Sequence, residues 1–151
     1  MDQGDPCLNQ SSRILWHNFA PILLVRKWSE SDVKHLLIVE DDSSVLAAFM
    51  SALPEFRLSV ARDPHEALMV ADRIDQLDLV ITDYLMPSMT GEELIGRIRE
   101  RHPRVKALVV TGHGDILDQE APEWWAREAH LTKPFDVTTL KTAISSLIGP
   151  Q

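Results

Sequence analysis

Three runs of Leu, Val and Ile without polar alternation constrain this chain most, because such runs fit strands of a parallel sheet covered on both faces. Each stops at a functional group. His35-Leu36-Leu37-Ile38-Val39 ends in Glu40-Asp41-Asp42, Leu77 to Thr82 ends in Asp83, and Val105 to Val110 ends in Thr111-Gly112-His113-Gly114. A shorter strand, Ala129-His130-Leu131-Thr132, leads to Lys133-Pro134-Phe135, and Leu58-Ser59-Val60-Ala61 alternates as an edge strand would. Helical patterns separate them. Val45, Leu46, Phe49, Met50 and Leu53 recur at helical spacing after Asp42 or Ser43 as cap, with Pro54 as the stop. Asp63-Pro64-His65-Glu66 opens a second helix through Ala67, Val70, Ala71 and Ile74. Thr90-Gly91-Glu92-Glu93 is a capping box for a third, carrying Leu94, Ile95 and Ile98 inward, with Glu93 and Arg97 spaced to pair on its wet face. A single helix is predicted between Ile116 and Glu128, interrupted by Pro122, and a last one after Asp136 through Leu140, Ala143, Ile144, Leu147 and Ile148. Five strands alternating with five helices predict a doubly wound parallel sheet of order 2-1-3-4-5, with right-handed crossovers.

In open parallel sheets ligands sit beyond the carboxyl ends of the strands. This topology brings Glu40 and Asp41, Asp83, Thr111 and Lys133 to one edge. Taken alone, Asp83 reads as a strand-terminal turn cap, since Asp is a common turn residue, on a loop that Pro87 and Gly91 set off from the next helix. Its company changes that reading. Adjacent acids are costly unless solvent or a cation relieves them, and carboxylate oxygens with waters suit Mg²⁺. Asp83 can then serve as nucleophile toward a phosphoryl group, with the ammonium of Lys133 and the hydroxyl of Thr111 steadying the transferring oxygens.

Charge limits the partners. Fifteen Lys and Arg stand against 23 Asp and Glu, a net charge of −8, and residues 1–34 hold four of each sign. The whole acidic excess lies in residues 35–151, which disfavours direct binding of nucleic acid and points to a protein or a cation. Residues 1–34 show no sustained period and read as an appendage outside the core, either a partner-binding segment or an extension without a fold of its own. Their longest apolar stretch, Phe19 to Val25, is broken by Pro21 and falls short of a membrane span, so a soluble, cytoplasmic protein is expected. The single Cys7 excludes an internal disulfide framework.

Val39-Glu40-Asp41-Asp42, Asp83 with Met86-Pro87 and Gly91, Thr111-Gly112, and Lys133-Pro134-Phe135, in this order and spacing, resemble the receiver domain of bacterial two-component response regulators, a flavodoxin-like fold. The resemblance spans about residues 35–149. It implies that Asp83 accepts phosphate from a phosphohistidine on a sensor histidine kinase or phosphotransfer protein, switching a surface for an unidentified downstream protein. It also implies that Glu40, Asp41, Asp83 and the backbone carbonyl of Leu85 hold Mg²⁺, that Thr111 and Lys133 hold the phosphoryl group, and that Lys133-Pro134 is cis. Apart from self-phosphorylation and self-dephosphorylation, no enzyme activity is expected. A dimer formed on phosphorylation is a further expectation.

The chain departs from the pattern at His130, where receivers usually carry Tyr or Phe as an aromatic switch working with Thr111. Leu85 and His113, by the same resemblance, flank the path of the hydrolytic water. No output module follows Pro150, so the sequence fits a stand-alone receiver or a receiver cut from a longer protein such as a hybrid kinase. An aspartyl-phosphate phosphohydrolase would want an acid where Leu85 stands, and a flavin protein a phosphate-cradling loop where Glu40-Asp41-Asp42 stands. A receiver that binds partners without being phosphorylated is the remaining rival. Of the adjacent Trp124 and Trp125, one is expected in the core and the other on the surface as a partner anchor.

Overall fold

The computed structural model describes residues 32–120 and 123–151, so the readings made on residues 1–31 and on Pro122 lie outside the described residues. Strands β1 (His35–Val39), β2 (Arg57–Ala61), β3 (Leu79–Thr82), β4 (Lys106–Thr111) and β5 (Ala129–Thr132) form one all-parallel sheet in the order β2-β1-β3-β4-β5. The helices are α1 (Ser43–Ala52), α2 (Pro64–Ala71), α3 (Gly91–Arg101), α4 (Gly114–Glu120), α5 (Glu123–Arg127) and α6 (Val137–Ile148). The single helix predicted over Ile116–Glu128 is therefore two short ones, and the described helices number six instead of five.

Period-two alternation sorts the strand residues onto two faces. Leu36, Ile38, Leu79, Ile81, Leu108 and Val110 pack beneath α1 and α6 through Leu46, Phe49, Leu53, Leu140 and Ile144. Leu37, Val39 and Val80 face α2 and α3 through Ala67, Ala71, Leu94 and Ile98. A smaller group, Ile95, Ala107, Val109, Leu117, Trp124 and Trp125, lies under α4 and α5. Covering both faces is what makes the strands read as unbroken apolar runs.

Four predicted helix starts are present. The side chain of Asp42 accepts from the N–H of Ser44 and Val45, Asp63 from Glu66, and Asp136 from Thr139. Thr90 and Glu93 make a reciprocal capping box. Glu93 thereby turns back onto the Thr90 N–H at 2.9 Å, a use the proposed pairing with Arg97 overlooked. Met50, assigned inward from its spacing, is 49% exposed, because the buried stripe of α1 is only Leu46 and Phe49 wide.

Candidate phosphoacceptor site

The strand ends converge as the topology requires. Glu40 follows β1 and is buried, and both of its oxygens are used: Oε1 accepts from the Asp42 N–H at 3.2 Å and Oε2 from Lys133 Nζ at 2.9 Å. Asp83 follows β3, with Oδ1 accepting from the Leu85 N–H at 3.3 Å and Oδ2 from Lys133 Nζ at 3.4 Å. One ammonium thus bridges two carboxylates from different strands. Burial works against the charge on Lys133, but its hydrogen bond to Glu40 and the charges of Glu40 and Asp83 outweigh it, raising its pKa above the ordinary lysine value. Lys133 also ties β5 to β4, since its N–H donates to the Thr111 carbonyl at 2.9 Å, and the Lys133–Pro134 peptide is cis. Thr111 is fully buried, and its hydroxyl oxygen accepts from the His113 N–H at 3.2 Å.

The three consecutive acids have separate tasks. Glu40 is the buried partner of Lys133, Asp41 is exposed, and Asp42 is spent on the start of α1. The N–H groups of Val45 and Ser44 hold the Asp42 carboxyl below its usual range. For a divalent cation the donors are of the right kind, all oxygen. Glu40, Asp41 and Asp83 against one Lys133 leave two negative charges, which one such ion neutralises. The expected carboxylates come together only in part, however: Glu40 and Asp83 meet on the ammonium, and among the described residues no three acid, imidazole or thiol side chains gather as a ligand set.

The loop after Asp83 is tightly placed. Gly91 N–H donates to the Tyr84 carbonyl at 2.8 Å, and a Cβ on Gly91 would lie 2.5 Å from the Asp83 carbonyl oxygen, so only glycine fits. Gly114 is constrained likewise, since a Cβ there would meet Thr132 Oγ1 at 2.0 Å. Glycine at 114 thus serves close packing against Thr132. Leu85 is 53% exposed in the loop after β3, and His113 is exposed in the loop after β4.

His130 and the tryptophans depart most from expectation. Trp124 and Trp125 are both buried, at 9% and 3%, which removes the exposed anchor predicted at one of them. Tyr84 covers one ring and His130 the other, at centroid separations of 5.0 and 3.8 Å. Neither cover was visible from spacing, because Tyr84 is 40 residues away and His130 was assigned to a switch.

The sequence matches the response regulator receiver domain family over residues 36–145, and the chain belongs to that family. The transcriptional regulatory protein GlrR of Escherichia coli is 34% identical over 116 residues, covering 76% of this chain and 26% of the relative. This chain therefore spans about a quarter of that protein's length. A response regulator receiver domain protein from Clostridium thermocellum superposes with a TM-score of 0.67 at 26% identity, covering 77% of this chain and 94% of that one. The receiver domain of the sensor histidine kinase PA1611 from Pseudomonas aeruginosa, whose structure has a magnesium ion coordinated in the active-site cleft, gives a TM-score of 0.67 at 24% identity, covering 78% and 99%. Among the described residues no helix is long and apolar enough to cross a membrane.

Proposed function

We propose that this protein is a phosphoacceptor in a two-component relay, with Asp83 as the accepting group. The observation that carries the reading is the bridge of Lys133 between Glu40 and Asp83 at the carboxyl edge of the sheet. An Asp83 carboxylate oxygen attacks the phosphorus of a phosphohistidine; the new O–P bond forms as the P–N bond breaks, and the leaving imidazole takes its electron pair and a proton from solvent. Lys133 is already in contact with the accepting carboxylate and draws onto the phosphoryl oxygens as they arrive with a charge of about −1.5 to −2. The Thr111 hydroxyl lies on the adjacent strand end to donate to one of them. Glu40, Asp41, Asp83 and the Leu85 carbonyl would hold Mg²⁺, which supplies neutralisation of the transferring oxygens.

An apolar groove of about 310 Å³ beside Lys133, between α1 and the start of α6, is lined by Val45, Ala48, Phe49, Phe135, Val137 and Leu140. We assign it to the kinase or phosphotransfer partner, because a donor seated there delivers its phosphohistidine next to Lys133. The net charge of −8 leaves direct nucleic-acid binding without electrostatic support, and a cytoplasmic setting follows from the relay. The same chemistry serves a stand-alone regulator or a receiver within a longer kinase. Intact mass after incubation with Mg²⁺ and a small phosphodonor tests the reading. One added phosphoryl group is expected on the parent and none on Asp83→Asn; equal gain on both would sink it.

A further inference from the structure

Four rings form a continuous ladder from the phosphoacceptor loop to β5. Tyr84, the residue after Asp83, stacks on Trp124 (5.0 Å, 22°); Trp124 meets Trp125 edge-on (5.5 Å, 78°); Trp125 stacks on His130 (3.8 Å, 20°). Both ends are held. At one end the Asp83–Tyr84 backbone is wedged against Gly91 and hydrogen-bonded to it. At the other, His130 Nδ1 lies 3.1 Å from the Glu128 carbonyl, which can only accept, so that nitrogen carries the proton. Its Nε2 faces Asp118 Oδ1 at 3.9 Å, and the same carboxylate oxygen accepts from Trp125 Nε1 at 2.8 Å. A ring stacked on Trp125 and tethered in this way is not a lone side chain that can turn inward.

We propose that this ladder, and not rotation of residue 130, carries the state of Asp83 to α4, α5 and β5, with Tyr84 as the positioning residue at its head. The inference rests on the phosphoacceptor reading for its signal but not for its mechanics. Packed aromatic contacts are each worth roughly two- to tenfold in an equilibrium constant, and packed groups shift between discrete arrangements more readily than they deform. Displacing the Asp83–Tyr84 loop must therefore either carry Trp124 with it or break the stack. Spatial continuity alone does not establish coupling, so the ends must be shown to sense each other.

Two measurements on the full chain decide the matter. Tyr84 and His130 are separated by two intervening rings, so independent substitutions should multiply in the unfolding constant, whereas a working ladder makes them non-multiplicative. For Tyr84→Leu, His130→Leu and the double variant in urea, a departure from the product of threefold or more is expected; a simple product would overturn the ladder. In the second measurement, amide exchange across residues 123–132 is compared with and without phosphodonor, while intact mass follows phosphoryl uptake. Tyr84→Leu should accept the group yet lose most of the response, and Tyr84→Phe, which keeps the ring, should restore it. A phosphorylated Tyr84→Leu that responds like the parent would overturn the signalling role. A parent that takes up no phosphoryl group would defeat the phosphoacceptor reading, and the signalling role with it, whereas only the product rule defeats the mechanical coupling.

Discussion

The charge cluster at the strand ends and the ring ladder beside it begin at consecutive residues, Asp83 and Tyr84, yet they are built on opposite principles. In the cluster, Glu40 and Asp83 reach Lys133 across 93 and 50 residues of sequence through polar contacts at a partly open edge. In the ladder, three of the four rings come from residues 124–130, and the two tryptophans at its centre are held by burial and ring packing. The cluster is placed by topology, the ladder by side-chain packing. It follows that the first should govern chemistry with modest effect on stability, and the second stability with little effect on chemistry.

The sharpest test of that contrast is Trp125→Ala. Removing a ring that is 3% exposed should cost about 3–5 kcal/mol in urea unfolding. Phosphoryl uptake by the fraction that remains folded should persist; loss of uptake per folded molecule would erase the division between the two regions. Lys133→Ala is the converse. It leaves the buried Glu40 carboxylate without its ammonium, and because Lys133 is 27% exposed the cost should be about 2 kcal/mol, below that of a fully buried pair. The fold should survive while the amide-exchange response to phosphodonor disappears, and a parental response would remove Lys133 as the reader of the added charge.

Leu85→Asn should act on the site alone. An amide can orient the attacking water where the exposed leucine offers no hydrogen bond, so aspartyl-phosphate decay should quicken by about tenfold with unchanged stability. A decay rate equal to the parent's, followed by mass at pH 6 and 8 beside His113→Ala, would clear Leu85 of control.

The smallest effect lies far from both regions. Burial of His35, with the charge of Arg57 added, lowers its pKa below the ordinary histidine value despite the opposing charge of Asp78. A histidine kept neutral by the fold gives the unfolded chain the greater proton affinity. The stability it contributes is complete above pH ~6.5 and declines as pH falls below that value toward the folded-state pKa. His35→Gln should flatten urea midpoints between pH 7 and 5 without altering phosphoryl uptake. An unchanged slope would place the pH dependence elsewhere.

What the sequence disclosed follows the same division. Glu40, Asp83, Thr111 and Lys133 were legible because each ends an apolar run, and parallel topology fixes where such ends meet. The caps at Asp42, Asp63, Thr90 and Asp136 were legible because they depend on neighbours within a few residues. The burial of both tryptophans was not legible. In a five-residue helix there is no period long enough to define one face, and the partners that cover the rings come from another loop and from β5. The partial gathering of the expected carboxylates was hidden for a different reason, because strand order does not say whether an acid will face a cation site, a lysine or a cap.

One consequence concerns the flanks of the sheet. Among the described residues nothing pairs along the outer side of β2 or β5, so these two strands are the edges of the described sheet. Each edge is short, five and four residues, and β2 opens with an exposed Arg57. Short, charged margins on a body of net charge −8 are poor templates for strand addition. Concentrated solutions should accordingly stay free of β-type aggregates, and any assembly of this protein should proceed through helical faces.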